Sequence, residues 1–164
     1  MRKTPKQILT ASALLAGLAG FSSIAQAQIQ WSAGDTNGDF ATDGNWDVGV
    51  APGNGDTARI GDGNSGYSAA SATYSTGTTA LNTLNVGFAG TTTGTLNITG
   101  GTLTGATNLG SNNDASGNIN LSGGTLGVNG GSIGGSSATS TLTLNGGTWQ
   151  DGGSTSFFQI QNNA

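Results

Sequence analysis

Three segments of the chain align without gaps at a spacing of 23 residues. Each segment contains a Gly-Gly pair followed by Thr and a large apolar residue, and the three segments are residues 95–103, 118–126 and 141–149. Repeats of this length are typical of solenoids, in which each unit buries its apolar face only by stacking on its neighbours. The repeat therefore predicts a stack of coils.

Within each unit, apolar and polar residues alternate over four or five positions. Leu96 and Ile98 fall on one face of the first unit, whereas Thr95, Asn97 and Thr99 fall on the other. A period of two is typical of strands, and the many Gly and β-branched residues disfavour a helix. We predict an all-β fold: a right-handed parallel β-helix (solenoid) with coils of about 23 residues.

Each unit contains two repeated segments, which we call arms. The first is the Gly-Gly-Thr-Leu arm, and the second repeats at residues 85–87, 108–110 and 132–134. Its distance from the preceding Gly-Gly-Thr-Leu arm grows from six residues, between Leu103 and Leu109, to seven in the next coil. Variable length is typical of an exposed loop, so we predict a solvent-facing corner between the two arms. Upstream, residues 77–81 resemble the Gly-Gly-Thr-Leu arm and residues 67–75 the strand before it.

Glycine accounts for 31 of the 164 residues, which is unusual for a globular protein. Disorder is the alternative interpretation of such a composition. A disordered chain, however, has no reason to keep apolar residues in register through three repeats. We therefore assign the Gly pairs to coil corners, where positive φ or close approach of the backbone is expected.

Residues 1–27 have the pattern of a secretory signal peptide. A basic start with Arg2, Lys3 and Lys6 precedes an apolar stretch, and small residues at Ala25 and Ala27 precede the predicted cleavage position. A transmembrane anchor is the alternative, but the stretch is short and weakly apolar for one. We predict a secreted or cell-surface protein of a Gram-negative bacterium, with no membrane insertion of the mature chain.

Residues 28–66 differ in composition from the repeats that follow at residues 67–164, whose last coil we expect to be incomplete. Residues 28–66 contain Trp31, Phe40, Trp46 and six of the eight Asp residues. Because the end of a solenoid exposes unpaired strand edges, we predict an aromatic N-terminal cap here. Arg59 is the only basic residue after the signal peptide, and we expect it to cap a strand or to pair with one of two aspartates, Asp56 or Asp62.

Several of these residues carry a family resemblance. Trp31, the pair Asn45-Trp46, the runs at residues 49–52 and 55–60 and the later repeats resemble autotransporter-associated β-strand repeat proteins and the related exosortase-sorted (PEP-CTERM) repeat proteins of environmental bacteria. The resemblance covers most of residues 31–150. It implies a surface or extracellular structural and adhesive role, and it carries over no catalytic residue.

Residues 35–43 of the cap region carry oxygen-bearing side chains at the spacing of the ligands in a calcium-binding loop. Their Asp-x-Asn-x-Asp start matches a calcium-binding loop, but Phe40 and Trp46 stand where such a loop has Gly and Glu. We favour a polar turn that joins two capping aromatic residues and keep a calcium site as the alternative; no other cofactor is predicted. The candidate ligands are Asp35, Asn37, Asp39 and Asp43.

Composition excludes several chemistries. Without His or Cys, the chain cannot form a Ser-His-Asp or Cys-His nucleophile or the usual zinc site. One Arg against eight Asp after residue 27 leaves no basic surface for nucleic acid. A glycosidase needs two converging carboxyl groups, and Asp114 and Asp151 fall in predicted corner loops. We predict a non-catalytic protein and rank a polysaccharide-active β-helix enzyme lower.

Thr102, Thr125 and Thr148 recur at the coil spacing and form a predicted outward column of hydroxyl groups. An ice-binding surface would need a regular second column, and the neighbouring positions are mixed, so an ordinary exposed strand face is favoured. We predict a structural or adhesive module, with a calcium- or glycan-binding module as the alternative. Its expected partners are other copies of the chain, through head-to-tail association, or extracellular polysaccharide and the cell surface.

Overall fold

The computed structural model of the chain describes residues 26–33, 37–63, 66–67, 71–112, 114–134 and 139–152, and the backbone of residues 158–160. Within these residues, one 3₁₀ turn at Asp43–Asn45 is the only helical element besides Gly63. The strands are β1 (Gln28–Gln30), β2 (Thr57–Asp62), β3 (Ser71–Tyr74), β4 (Thr78–Ala89), β5 (Thr93–Ile98), β6 (Thr102–Leu109), β7 (Ser116–Leu121), β8 (Thr125–Ile133), β9 (Thr141–Leu144), β10 (Thr148–Asp151) and β11 (Phe158–Ile160).

The strands form two parallel sheets. The larger sheet has seven strands in the order β1-β2-β4-β6-β8-β10, with β11 also paired to β8, and the smaller sheet has the order β3-β5-β7-β9. From β3 to β10 the chain alternates between the sheets, so each coil adds one strand to each sheet. The result is a β-solenoid of about four turns, which confirms the predicted fold.

The ladder register reproduces the repeat in the central coils. Asn118 pairs with Thr95 on one side and with Thr141 on the other, which is a step of 23 residues in each direction. The step widens toward the N-terminus, and Gln28 pairs with Thr57, 29 residues later. The first coil is longer because the chain between β1 and β2 also folds the cap.

In the coils that contain β6 and β8, the two arms are not separated by a loop. Leu103 and Leu109 both belong to β6, and the extra residue of the next coil is absorbed by a register shift between β6 and β8. Thr107 at this shift is buried, and Gly131 opposite has a φ of 128°, which L side chains rarely adopt. For these two coils the predicted solvent-facing corner is therefore wrong: a β-bulge within the paired strands accommodates the length change.

The core is a narrow stack of inward-facing residues. Along β6, partly exposed and buried residues alternate without exception, as expected for a strand with one solvated face. Leu96 and Ile119 occupy matching positions in successive coils, and both are fully buried. The largest buried side chains are Trp31, Tyr74, Phe40, Ile60, Leu84, Leu96, Ile98, Leu103, Leu109, Ile119, Leu121 and Leu126.

An aromatic cluster covers the N-terminal end of the stack, as predicted. Trp46 lies between Trp31 and Phe40 with edge-to-face geometry, at ring-centroid distances of 5.1 Å and 4.8 Å. Phe40 in turn lies 5.4 Å from Tyr74 in β3. Residues 28–66 also supply β1 and β2 to the larger sheet, so this block contributes both the cap and the first coil.

Strands of the two sheets pass close to each other at a set of glycines. We call these glycines the glycine seam. Gly87 has a φ of 68°, and a Cβ atom built on it would overlap the carbonyl group of Ser116 in the next coil. A Cβ atom on Gly94 would likewise overlap the carbonyl oxygen of Ile60. Backbone therefore packs on backbone inside the stack, in addition to the corners, where the Gly pairs lie at bends between strands as predicted. The seam consists of Gly61, Gly87, Gly94, Gly110 and Gly117.

Candidate functional site

The calcium candidate lies in the cap, between β1 and β2. Asp35 lies outside the described residues, whereas the other three candidates form one polar turn. Asn37 Oδ1 accepts hydrogen bonds from the backbone N–H of Asp39 at 3.0 Å and from Asn45 Nδ2 at 2.7 Å. Asp39 Oδ1 accepts the backbone N–H of Ala41 at 3.0 Å.

The turn closes around the aromatic cluster. Asp43 Oδ1 accepts the backbone N–H of Ala51 at 2.8 Å, which holds the loop that follows the 3₁₀ turn. Trp46 Nε1 donates to the carbonyl oxygen of Phe40 at 2.8 Å. These contacts give the candidate oxygens a structural use: they fix the turn that brings the capping rings together.

Asn45 is a central residue of the cap that composition and spacing did not single out. Its side chain is fully buried, and its amide donates both to Asn37 Oδ1 and to the carbonyl oxygen of Asp39, at 2.9 Å for the second contact. A buried amide of this kind is stabilising only when it is hydrogen-bonded. In the sequence it stood out only as part of the Asn45-Trp46 pair that carries the family resemblance.

A chelator is expected to change the melting temperature by less than about 1 °C, because one oxygen of each described candidate ligand already accepts a protein N–H. The described residues also contain no group of three or more acidic side chains placed to hold a metal ion. If calcium did bind this turn, a calcium concentration well above the dissociation constant would stabilise the fold. Removing the calcium would then lower the melting temperature by about 3 °C or more.

Thermal unfolding with EDTA and with millimolar calcium measures this difference. Asp43→Asn is a useful second variant, because it keeps the acceptor for Ala51 but removes the negative charge. A polar turn tolerates this change, whereas a calcium site loses affinity. A calcium-dependent rise in melting temperature that Asp43→Asn abolishes would establish the calcium site.

The outward face of the smaller sheet carries side chains that bond to each other along the stack. Asn120 Nδ2 donates to Asn97 Oδ1 at 2.9 Å, and Thr141 Oγ1 donates to Asn118 Oδ1 at 2.7 Å. Each pair joins neighbouring coils, 23 residues apart. Side-chain hydrogen bonds of this kind between stacked strands order a polar surface. We call it the amide face; it comprises Ser71, Thr73, Thr95, Asn97, Asn118, Asn120, Thr141 and Thr143.

A threonine column runs along the larger sheet. Thr102 pairs with Thr125, and Thr125 with Thr148, as the repeat predicted; Thr78 extends the column by one coil. The neighbouring outward positions are Ala80, Thr104, Gly127 and Gln150, which share no chemistry. The regular hydroxyl array is therefore one residue wide.

The remaining carboxylates are dispersed among the described residues. Asp114 lies in the exposed turn before β7, as predicted, whereas Asp151 is the last residue of β10 and not part of a corner loop. Asp56 borders a cavity of about 180 Å³, where its carboxylate accepts the backbone N–H groups of Ala27 and Gly53. This cavity supplies one carboxylate, whereas glycoside hydrolysis uses a pair.

Arg59 pairs with Asp62, one of the two partners that the sequence allowed. The distance between Arg59 Nη1 and Asp62 Oδ2 is 3.2 Å, and the guanidinium carbon lies 3.6 Å from the centre of the Phe88 ring. The Arg59 side chain is 14% exposed and that of Asp62 only 2%. Because Phe88 belongs to β4, the ring contact links two adjacent coils, whereas the ion pair lies within β2.

Comparison with known proteins found no match to a protein-family profile, to a curated protein or to a solved structure. The resemblance to secreted β-strand repeat proteins therefore stays a prediction. In the part of the chain that the structure describes, no helix is long and apolar enough to cross a membrane.

Proposed function

We propose that this protein is a secreted or cell-surface structural and adhesive module without a catalytic role. The observation that carries the proposal is the amide face, whose side chains bond from coil to coil and leave a continuous polar surface. Such a surface presents many equivalent shallow contacts. A catalytic site, by contrast, places a few reactive groups around one point.

A repeated surface binds best to a repeated ligand, because many weak contacts add up when their spacing matches. The chain from Gln28 onward has one Arg and eight Asp residues, so its net charge of −7 disfavours acidic polymers. Hydroxyl and amide groups on the exposed strands can instead exchange hydrogen bonds with sugar hydroxyl groups. We therefore infer that the preferred adhesive ligands are neutral polysaccharides.

The predicted signal peptide supports a location outside the cytoplasm. Residues 1–25 of this segment lie outside the described residues. Strand β1 begins at Gln28, directly after the predicted cleavage position, and Ala27 is exposed. Cleavage at this position falls outside all the described strands.

Expression of the full sequence in a Gram-negative host, followed by fractionation and intact-mass analysis, tests the proposal. We expect a product outside the cytoplasm that begins at Gln28. Ala27→Glu is expected to block cleavage, because the position before the cleaved bond requires a small residue, whereas Ala27→Gly should be processed normally. A product that stays in the cytoplasm with residues 1–27 attached would overturn the predicted location.

The exported product is then incubated with insoluble cellulose and chitin. Retention should persist at high salt, since contacts with a neutral polymer do not depend on screened charge. The acidic polysaccharide alginate serves as the control and should retain less protein. If the exported protein bound none of these polymers, the adhesive part of the proposal would be contradicted, and only the structural part would stand.

A further inference from the structure

Asparagine is followed by glycine at four positions of the sequence. Asparagine is chemically labile, and it loses ammonia most readily when glycine follows, because the backbone nitrogen of the next residue attacks the side-chain amide carbon. Glycine has no side chain that obstructs this attack. Hydrogen bonds to either reacting group slow it, because they must break before the two groups meet. The four pairs begin at Asn37, Asn54, Asn129 and Asn145.

Hydrogen bonds hold the first two pairs. Asn37 Oδ1 accepts the two N–H groups described for the cap, and Asn37 Nδ2 donates to Thr42 Oγ1 at 2.9 Å. At the second pair, both reacting groups are bound to Ala80. Asn54 Oδ1 accepts the Ala80 N–H at 2.8 Å, and the Gly55 N–H donates to the Ala80 carbonyl oxygen at 2.8 Å. Attack at this pair requires both bonds to break.

The third pair lies within a strand. Asn129 and Gly130 both belong to β8, and Gly130 is buried. The Asn129 amide packs against Gly152, since a Cβ atom built on Gly152 would overlap Asn129 Oδ1. The Gly152 N–H donates to the Val128 carbonyl oxygen at 2.9 Å, which fixes this contact. The amide must therefore leave a packed position before the Gly130 nitrogen can reach it.

The fourth pair lies in an exposed turn and lacks these restraints. Asn145 follows β9 directly, and both Asn145 and Gly146 are exposed. The backbone N–H of Asn145 donates to the Leu121 carbonyl oxygen at 2.9 Å, which anchors the start of the turn. Among the described residues, no hydrogen bond holds the Asn145 side-chain amide or the Gly146 N–H. The two reacting groups can therefore meet without breaking a hydrogen bond.

The other aligned coils differ at this turn. Asn145 stands where the preceding coil has Ser122 and the coil before that has Thr99, and neither hydroxyl side chain has an amide to lose. In the preceding coil, the Gly123 N–H also donates to the Ile98 carbonyl oxygen at 3.2 Å. The labile amide and the unbonded nitrogen thus occur together in the third coil.

We propose that Asn145 is a site of spontaneous deamidation in the folded protein. The Gly146 nitrogen attacks Asn145 Cγ, the bond from Cγ to Nδ2 breaks, and the amide leaves as ammonia with the proton of the Gly146 N–H. Water then opens the succinimide ring at either carbonyl carbon, giving aspartate or isoaspartate. Both products add a carboxylate to the turn, and isoaspartate also adds one carbon to the main chain between β9 and β10. The modification depends on the fold and not on the proposed adhesive function.

Incubation of the folded chain in mildly alkaline buffer, followed by peptide mapping with mass spectrometry, tests the proposal. We expect Asn145 to lose its amide about tenfold faster than Asn54 or more, because two hydrogen bonds must first break at Asn54. The same chain unfolded in urea is the control. All four pairs should react at similar rates there, since each asparagine is followed by glycine and no fold restrains it.

Two variants separate the amide from the attacking nitrogen. Asn145→Ser introduces the residue of the preceding coil, so it should remove the product at this turn and leave the melting temperature unchanged. Ser122→Asn places an amide in the preceding turn, where it should react more slowly than Asn145 because the Gly123 N–H is hydrogen-bonded. Equal rates at all four pairs of the folded chain, or reaction of Asn145 only in urea, would overturn the proposal.

Discussion

Replacing Gly87 by alanine is expected to lower the free energy of unfolding by about 4 kcal/mol, which is a large part of the stability of a domain of this size. Two effects add at this position. The φ of 68° costs an L residue about 1–2 kcal/mol. The new methyl group would also overlap the Ser116 carbonyl and lie 2.8 Å from the backbone nitrogen of Gly117, and overpacking of this kind costs about 1–3 kcal/mol.

The backbone around Gly87 has little freedom to move away. Ser116 N–H donates to the carbonyl oxygen of Thr92 at 2.8 Å, and Gly117 faces Gly110 within the same seam. A shift that relieved the overlap would have to displace β7 from its ladder with β5. Since each coil of a solenoid is stabilised only by its neighbours, damage in a central coil weakens both halves of the stack.

Gly49→Ala is the matched control, because Gly49 has a φ of 70° but no atom within 4 Å of the added Cβ. We expect it to cost only the conformational term, about 1–2 kcal/mol. Urea unfolding followed by tryptophan fluorescence measures both variants. If Gly87→Ala and Gly49→Ala lowered the free energy of unfolding equally, the close packing of the seam would not depend on the absence of side chains.

The coils were predictable from the sequence, whereas the seam and the bulge were not. Alternating residues and a fixed period are local signals, and they identified the stacked strands around Leu96 and Ile119. Gly87 and Gly110 also recur with the period, but a glycine that forms a corner and one that admits a neighbouring backbone look alike in a sequence. Only the approach of β7 to β4 distinguishes them, and that approach is a property of the whole stack.

In the cap, too, some features could be predicted from the sequence and others could not. The polar turn around Asn37 and Asp39 was visible as a run of oxygen-bearing residues. The contact from Ala51 to Asp43, however, depends on the path of the loop that returns between them. The burial of Asn45 depends likewise on how Trp46 packs against the other rings. The types of candidate ligand could thus be predicted, but not the bonds that their oxygens make.

Replacing Arg59 by alanine is expected to lower the free energy of unfolding by about 3 kcal/mol. Asp62 is 2% exposed, and removing the cation beside a buried carboxylate typically costs about 3–5 kcal/mol. Part of the loss comes from the ring contact with Phe88, because a guanidinium on an aromatic face contributes about 1 kcal/mol. Urea unfolding of the exported chain measures the change.

A double-mutant cycle separates the ion pair from the ring contact. Asp62→Asn alone should also destabilise the fold, but Arg59→Met combined with Asp62→Asn should cost less than the two single changes added together, because no charge is then left buried. Arg59→Lys should recover only part of the stability, since an ammonium group keeps the charge but does not stack on Phe88 as the planar guanidinium does. Strictly additive costs would mean that the pair contributes no coupling energy. A subadditive cycle would instead establish that the one cation of the described structure is coupled to a buried carboxylate within β2, beside the ring contact by which Arg59 reaches β4.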